Sequence, residues 1–290
     1  MNSSNISSAA ADQSALVSRR QALLRGAVAL GGCASWLTLT GCASTDKSPS
    51  ASAPAADGTA AKATAGVLRV GVCAKLPPIA SKPGGTLIGF EVDFAKGLAE
   101  SMGKRVEFVD LPWADLLTSL QSGRVDIVMS GMSVTPERMM VVDFAKSYLR
   151  SGLAMVARRS EIGTMSMFFN QTVRIGVKPG TTGQYFAQSQ FPRNPRTSYK
   201  DLADAAKAMQ DKKLDIFIID APIAWWMAGQ HEAAGITVMG DLLNTEYLAW
   251  AVAKGNTAML KAANDYLDAS TKSGKQQEIL RRWLGAFYRP

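Results

Sequence analysis

Short apolar runs alternate with amphipathic stretches of helical period along residues 66–290. LRVGV (68–72) and VRIGV (173–177) each close on Gly-Val, the pattern of a buried strand. GFEVDFAKGLAESMG (89–103) sets Phe94, Leu98 and Met102 four residues apart and ends on Gly103, which predicts a helix with a glycine stop. PWADLLTSLQSG (112–123) and KDLADAAKAMQDKK (200–213) read as helices, as do NTAMLKAANDYLDAS (256–270) and KQQEILRRWL (275–284). Strands alternating with amphipathic helices predict right-handed crossovers and mainly parallel sheets flanked by helices, an α/β fold.

The pattern is written twice. LQSGRVDIVMSG (120–131) aligns without a gap on MQDKKLDIFIID (209–220), each a helix end, a basic stretch, then apolar-Asp-Ile and a second apolar run. Two similar α/β units follow from this. Ligands of open α/β sheets bind beyond the carboxyl ends of strands. Those ends are Ser130-Gly131-Met132-Ser133 in one unit and Ile219-Asp220 in the other, so SGMSVTPER (130–138) and Asp220 should meet across one cleft.

Within that segment Thr135-Pro136-Glu137 reads as a helix start, and Arg138 follows as a cation at the positive end of the helix. This placement is unfavourable by up to about 1 kcal/mol. A guanidinium can grip a carboxylate through two parallel bonds, and a helix N-terminus offers free N–H groups to the same anion. An aspartate opposite would neutralise an amine. Arg138 therefore fits a site where an anion is expected.

The chain has 290 residues, 47% of them hydrophobic, which is ample for one or two domains. Its N-terminus reads as an export signal: SRRQALLR (18–25), a short uncharged stretch, then small residues. Arg19-Arg20 is similar to a twin-arginine signal, although Ala22 stands where that class usually has an aromatic, and general secretion stays open. Leu39-Thr40-Gly41-Cys42 resembles a lipobox with Cys42 as the lipidated residue; the rival Leu30-Gly31-Gly32-Cys33 would strand ASWLTLT in the mature chain. Residues 1–41 are thus a signal peptide. Residues 42–65, low in complexity and without a large apolar side chain beyond Cys42, form a flexible tether. Removing the signal, with Arg19, Arg20, Arg25 and Asp12, lowers the formal charge from +8 to +6, and the basic residues are spread rather than clustered. That spread argues against nucleic acid as a partner. Only Cys73 remains in the folded part, so no internal disulfide can form there.

GFEVDFAKGLAE, WADLLTSLQSGRVDIVMSGMSVTPER, VDFAKSYLRSG, VRIGVKPGTTGQYF and LDIFIIDAPIA, in this order and spacing, resemble the periplasmic solute-binding proteins of polar amino-acid ABC importers, bacterial extracellular solute-binding family 3. The resemblance implies a two-lobed type II periplasmic-binding-protein fold joined by a two-segment hinge. Lobe 1 would be 66–150 plus 250–290 and lobe 2 151–249, with hinge candidates at 148–156 and 247–253. A monomer, it would capture an amino acid by lobe closure and deliver it to a permease of the inner membrane, from a periplasmic position held by the lipid anchor. No cofactor or metal is implied. Carried over residue by residue, Arg138 clamps the α-carboxylate, Gly131 and Ser133 donate to it with Ser130 beside them, Thr182 donates from the second lobe, and Asp220 accepts from the α-ammonium.

Relatives that bind basic amino acids carry an aspartate and an aromatic where this chain has Cys73 and Leu76, and Trp113 matches a position that packs on the ligand side chain. An uncharged ligand side chain is therefore expected. Asp126 and Asp215 read as structural, Glu91 and Asp93 as first-turn helix acids, Trp225-Trp226 as packing and His231 as a surface residue. The rival function is a periplasmic enzyme similar to cyclohexadienyl dehydratases. Those place a glutamate just after the second-lobe Gly-Thr, where this chain reads Thr181-Thr182-Gly183-Gln184 without an acid. A receptor presenting its ligand to a membrane sensor is a third class.

Overall fold

The computed structural model describes residues 66–161 and 171–288. The export signal, Cys33, Cys42 and the tether lie outside the described residues. In chain order, the first part runs β1 (Val67–Val72), the short ladder of β2 (Lys75–Leu76) and β3 (Ala80–Ser81), α1 (Phe90–Ser101), β4 (Arg105–Asp110), α2 (Leu116–Gln121), β5 (Ile127–Val128), α3 (Pro136–Val141) and β6 (Val142–Phe144). β7 (Leu149–Ser151) leads into β8 (Leu153–Arg158), β9 (Ile175–Val177), α4 (Thr182–Gln190), β10 (Arg196–Ser198), α5 (Leu202–Gln210), β11 (Ile216–Asp220), α6 (Ala221–Gln230) and β12 (Ile236–Met239). β13 (Glu246–Leu248) leads back to β14 (Ala251–Ala253), α7 (Thr257–Lys272) and α8 (Lys275–Leu284).

Two five-stranded sheets result, ordered β4-β1-β5-β14-β6 and β10-β9-β11-β8-β12. In each, three strands are parallel, as the crossovers require. The next strand runs against its neighbours: β14 against β5 and β6, β8 against β11 and β12. The sheets are thus mainly parallel, as periodicity predicted, with one reversed strand in each. Connectivity is the cause, because β8 and β14 are the strands on which the chain enters one lobe from the other. Between them β7 pairs antiparallel with β13, laying the two crossings side by side. Only these central parts of the hinge candidates pair with each other; their remainders, in β8 and β14, are built into the sheets.

The duplication extends to single bonds. Asp126 accepts from the backbone N–H of Arg69 at 2.8 Å and from its Nη2 at 2.6 Å. Asp215 accepts from Arg174 at the same two distances. Each aspartate stands beside the strand of its unit that pairs with the arginine's strand, so the pair sets register. The Arg69 side chain is 41% exposed, so solvent screens its ion pair. Both faces of the second sheet are covered: Leu153, Met155 and Ala157 of β8 enter one apolar cluster while Ala154 and Val156 enter the other.

Glu91, expected as a first-turn helix acid, is fully buried. Its Oε1 accepts from the Gly131 N–H at 2.8 Å and the Tyr148 hydroxyl at 2.7 Å, and its Oε2 from Trp250 Nε1 at 2.7 Å. Tyr148 precedes β7 and Trp250 follows β13, so one carboxylate ties both crossings to α1 and to the 130–134 loop. Phe94, Tyr148 and Trp250 close over it with ring centroids 5.4 to 5.7 Å apart. Burial pushes this carboxyl up to about 7, against the three donors. Because those partners all donate and none accepts, the ionised form is the one the site satisfies. Glu91→Gln turns an amide N–H₂ against one of them, and should cost about 1–3 kcal/mol in urea unfolding; a change under about 0.5 kcal/mol, the range of an ordinary surface substitution, would show that the tie contributes little.

Candidate functional site

The carboxyl ends of β1 and β5 face those of β9 and β11, and the lobes touch there. α3 begins as its sequence predicts, with Thr135 as N-cap accepting from the Arg138 N–H at 3.3 Å. Arg138 Nη1 donates to Ser133 O at 2.8 Å, and Nη2 reaches across to Gly180 O at 3.3 Å. Its guanidinium lies 5.6 Å from the Trp113 ring centroid, within cation–π range. Trp113 Nε1 donates to the same Gly180 carbonyl at 3.0 Å. Burial pulls the Arg138 pKa down, opposed by the charges of Asp220 and Glu246.

Asp220 ends β11, is 8% exposed, and caps the start of α6 without a side-chain cap bond. Burial, and then the charge of Glu246, push its carboxyl up to about 7. Glu246 is as buried. Its Oε2 accepts from Ser133 Oγ at 2.5 Å in the first lobe and from Thr182 Oγ1 at 3.1 Å in the second, and its Oε1 from Asn244 Nδ2 at 3.0 Å. A hinge carboxylate thus bridges the two lobes and holds two hydroxyls expected to serve a ligand. Each hydroxyl has one proton, so while Ser133 and Thr182 donate to Glu246 they have none for another anion.

The structure therefore brings Arg138, Ser133, Thr182, Asp220 and Trp113 to one cleft. Ser130 Oγ accepts from the Cys73 N–H at 3.0 Å, and Cys73 and Leu76 are both buried. Gly131 is a correction. Its N–H, expected to serve a ligand carboxylate, points into the core onto Glu91. Its own contribution is conformational: φ is +70°, and a Cβ would lie 2.5 Å from Ile79 Cδ1.

Sequence reasoning missed three charged groups. Glu91 looked like an ordinary helix acid. Glu246 stands before the apolar hinge run, and no local pattern separates it from a surface acid. Lys178 had a signal, since it follows VRIGV as Cys73 follows LRVGV, the position examined in the first copy only. It is 4% exposed and donates from Nζ to Lys200 O at 2.6 Å. Burial lowers its pKa, and its charge in turn acts on the Cys73 thiol, which burial raises.

Comparison with known proteins gives the family and the fold. Residues 68–286 match the model of bacterial extracellular solute-binding proteins, family 3. The L-cystine-binding protein TcyJ of Escherichia coli (strain K12) is 27% identical over 223 residues, covering 76% of this chain and 84% of that protein. An ancestral arginine-binding protein bound to arginine is 30% identical, with a TM-score of 0.71, covering 77% of this chain and 100% of the other. The ancestral amino acid-binding protein AncCDT-1, a precursor of cyclohexadienyl dehydratase, is 30% identical with a TM-score of 0.70, covering 76% and 96%. The mixed two-lobed architecture is accordingly the type II periplasmic-binding-protein fold. The chain belongs to the bacterial extracellular solute-binding proteins, family 3.

Proposed function

We propose that this protein captures one α-amino acid between its lobes and delivers it to an ABC importer. The observation that carries this reading is the meeting of Arg138 with Asp220 and Glu246 across a buried interlobe cleft. Such a cleft suits a dipolar ion, whose burial would cost several kcal/mol per charge unless both ends were paired. The carboxylate goes to the Arg138 guanidinium beside Trp113, and the ammonium to Asp220, whose raised pKa marks a carboxylate short of positive charge. For Ser133 and Thr182 to reach the ligand carboxylate, their hydroxyls must turn off Glu246. The relatives that bind amino acids support the reading, as does the order of the family motifs. Cys42, as the acylated N-terminus, would hold the domain near its permease, since several acyl chains give lasting membrane attachment.

A second reading is dehydratase chemistry. The absence of an acid at Thr181-Thr182-Gly183-Gln184 counted against it, yet Asp220 supplies a group that titrates near neutrality. Catalysis needs substrate turnover, and binding alone needs none.

Three outcomes test these assignments. Arg138→Ala and Asp220→Ala should each weaken amino-acid binding by at least about 2 kcal/mol in calorimetry, because each leaves a buried opposite charge unpaired. Near-native affinity in either, or net turnover of prephenate or arogenate by the wild type, would contradict the binder assignment. Affinity should also depend on pH. A carboxyl titrating at about 7 is protonated below that value and cannot pair with an ammonium, so Kd should rise about tenfold per pH unit below 7 and level off above it. Glu246→Gln removes a charge that helps raise Asp220, and should move this midpoint to lower pH; a flat profile from pH 5.5 to 8 would show that Asp220 does not gate binding. Lastly, Cys42→Ala should shift the protein from the membrane to the soluble fraction, and an unchanged distribution would rule out the anchor.

A further inference from the structure

We infer that the side chain of the bound amino acid ends in a carboxylate, and that Lys178 receives it. This rests on the amino-acid reading above and sharpens it. Cys73 and Lys178 are the equivalent residues of the two repeats, each directly beyond its lobe's central parallel strand, β1 or β9. They lie close enough for the Lys178 charge to act on the Cys73 thiol, the Cys73 N–H donates to Ser130 Oγ of the cleft loop at 3.0 Å, and Leu76 is buried as well. Theirs is the end left for a side chain once Arg138 and Asp220 have taken the α-groups.

At this end the thiol of Cys73 and the alkyl group of Leu76 are neutral, so Lys178 carries the one formal charge of the three. Its ammonium has three N–H groups and donates to one carbonyl, Lys200 O. Among the described residues no carboxylate forms an ion pair with it. Asp201, whose charge acts on it, makes its ion pair with Lys75 instead, at 2.7 Å across the lobe boundary. A buried cation satisfied by a single carbonyl is under-compensated. A second carboxylate on the ligand would supply both the missing charge and acceptors for the remaining N–H groups.

The expectation of an uncharged ligand side chain came from Cys73, Leu76 and Trp113, all in the first lobe, and Lys178 revises it. The same cation disfavours arginine and lysine, whose distal charges would meet it without a counter-ion. Among the acidic amino acids the geometry selects none by length, so aspartate and glutamate are both probes.

The test is calorimetry on the full chain with L-aspartate, L-glutamate, L-asparagine, L-glutamine and L-arginine, for the wild type, Lys178→Met and Lys178→Arg. One acidic amino acid should bind the wild type most tightly. Lys178→Met should weaken that ligand at least tenfold while changing the affinity for its amide counterpart less than threefold, and Lys178→Arg should keep the acidic preference. A neutral or cationic amino acid binding most tightly would overturn the inference and leave the amino-acid reading intact. So would equal losses for all ligands in Lys178→Met, which is the signature of a structural lysine. Failure of the panel and of every other amino acid to bind would overturn both.

Discussion

The structure depends on one buried carboxylate. Glu91 takes donors from the ligand loop at Gly131 and from Tyr148 and Trp250 on the two crossings, with no water-facing surface of its own. Removing an ion from water is unfavourable by several kcal/mol, so all three partners must be in place for the fold to tolerate it. This couples elements far apart in sequence: a helix of the first unit, the loop that carries the cleft hydroxyls, and both segments about which two lobes would turn. The position of Arg138, seven residues beyond Gly131, follows from that anchorage.

Around this tie the duplicated unit distributes charge in an ordered way. Asp126 and Asp215 directly precede equivalent strands and hold equivalent arginines, so they stabilise register and leave the cleft alone. Charges that do enter the cleft lie at the carboxyl end of β11 at Asp220, on α3 at Arg138, and on the hinge at Glu246. Glu246 has a separate part. By accepting from Ser133 in one lobe and Thr182 in the other, it joins the lobes through the hydroxyls that line the cleft. An anion bound at these hydroxyls would compete with a carboxylate already in place, and part of its binding free energy would be offset by that exchange.

What the sequence made legible was whatever repeats or has a local period. The paired strands, the helices, the cap at Thr135 and the facing positions of Arg138 and Asp220 all follow from patterns within about a dozen residues. The antiparallel strands β8 and β14 were not legible, because strand direction depends on where the chain crosses between lobes. Glu91 was misread for a related reason: its partners lie 40, 57 and 159 residues away. Gly131 was placed correctly but its amide points to the core, a matter of φ that no spacing encodes. Lys178 was available from the repeat, and comparing both copies position by position would have found it.

The central claim is that the cleft recognises both α-groups of an amino acid together. It is tested most directly by thermal unfolding of the protein with the tightest-binding amino acid, its decarboxylated amine and its deaminated acid. The account expects the amino acid, at a hundred times its Kd, to add about 2.7 kcal/mol of stability, and neither analogue to stabilise measurably at the same concentration. Equal stabilisation by the amine or by the acid would show that Arg138 and Asp220 do not act as a pair on the ligand.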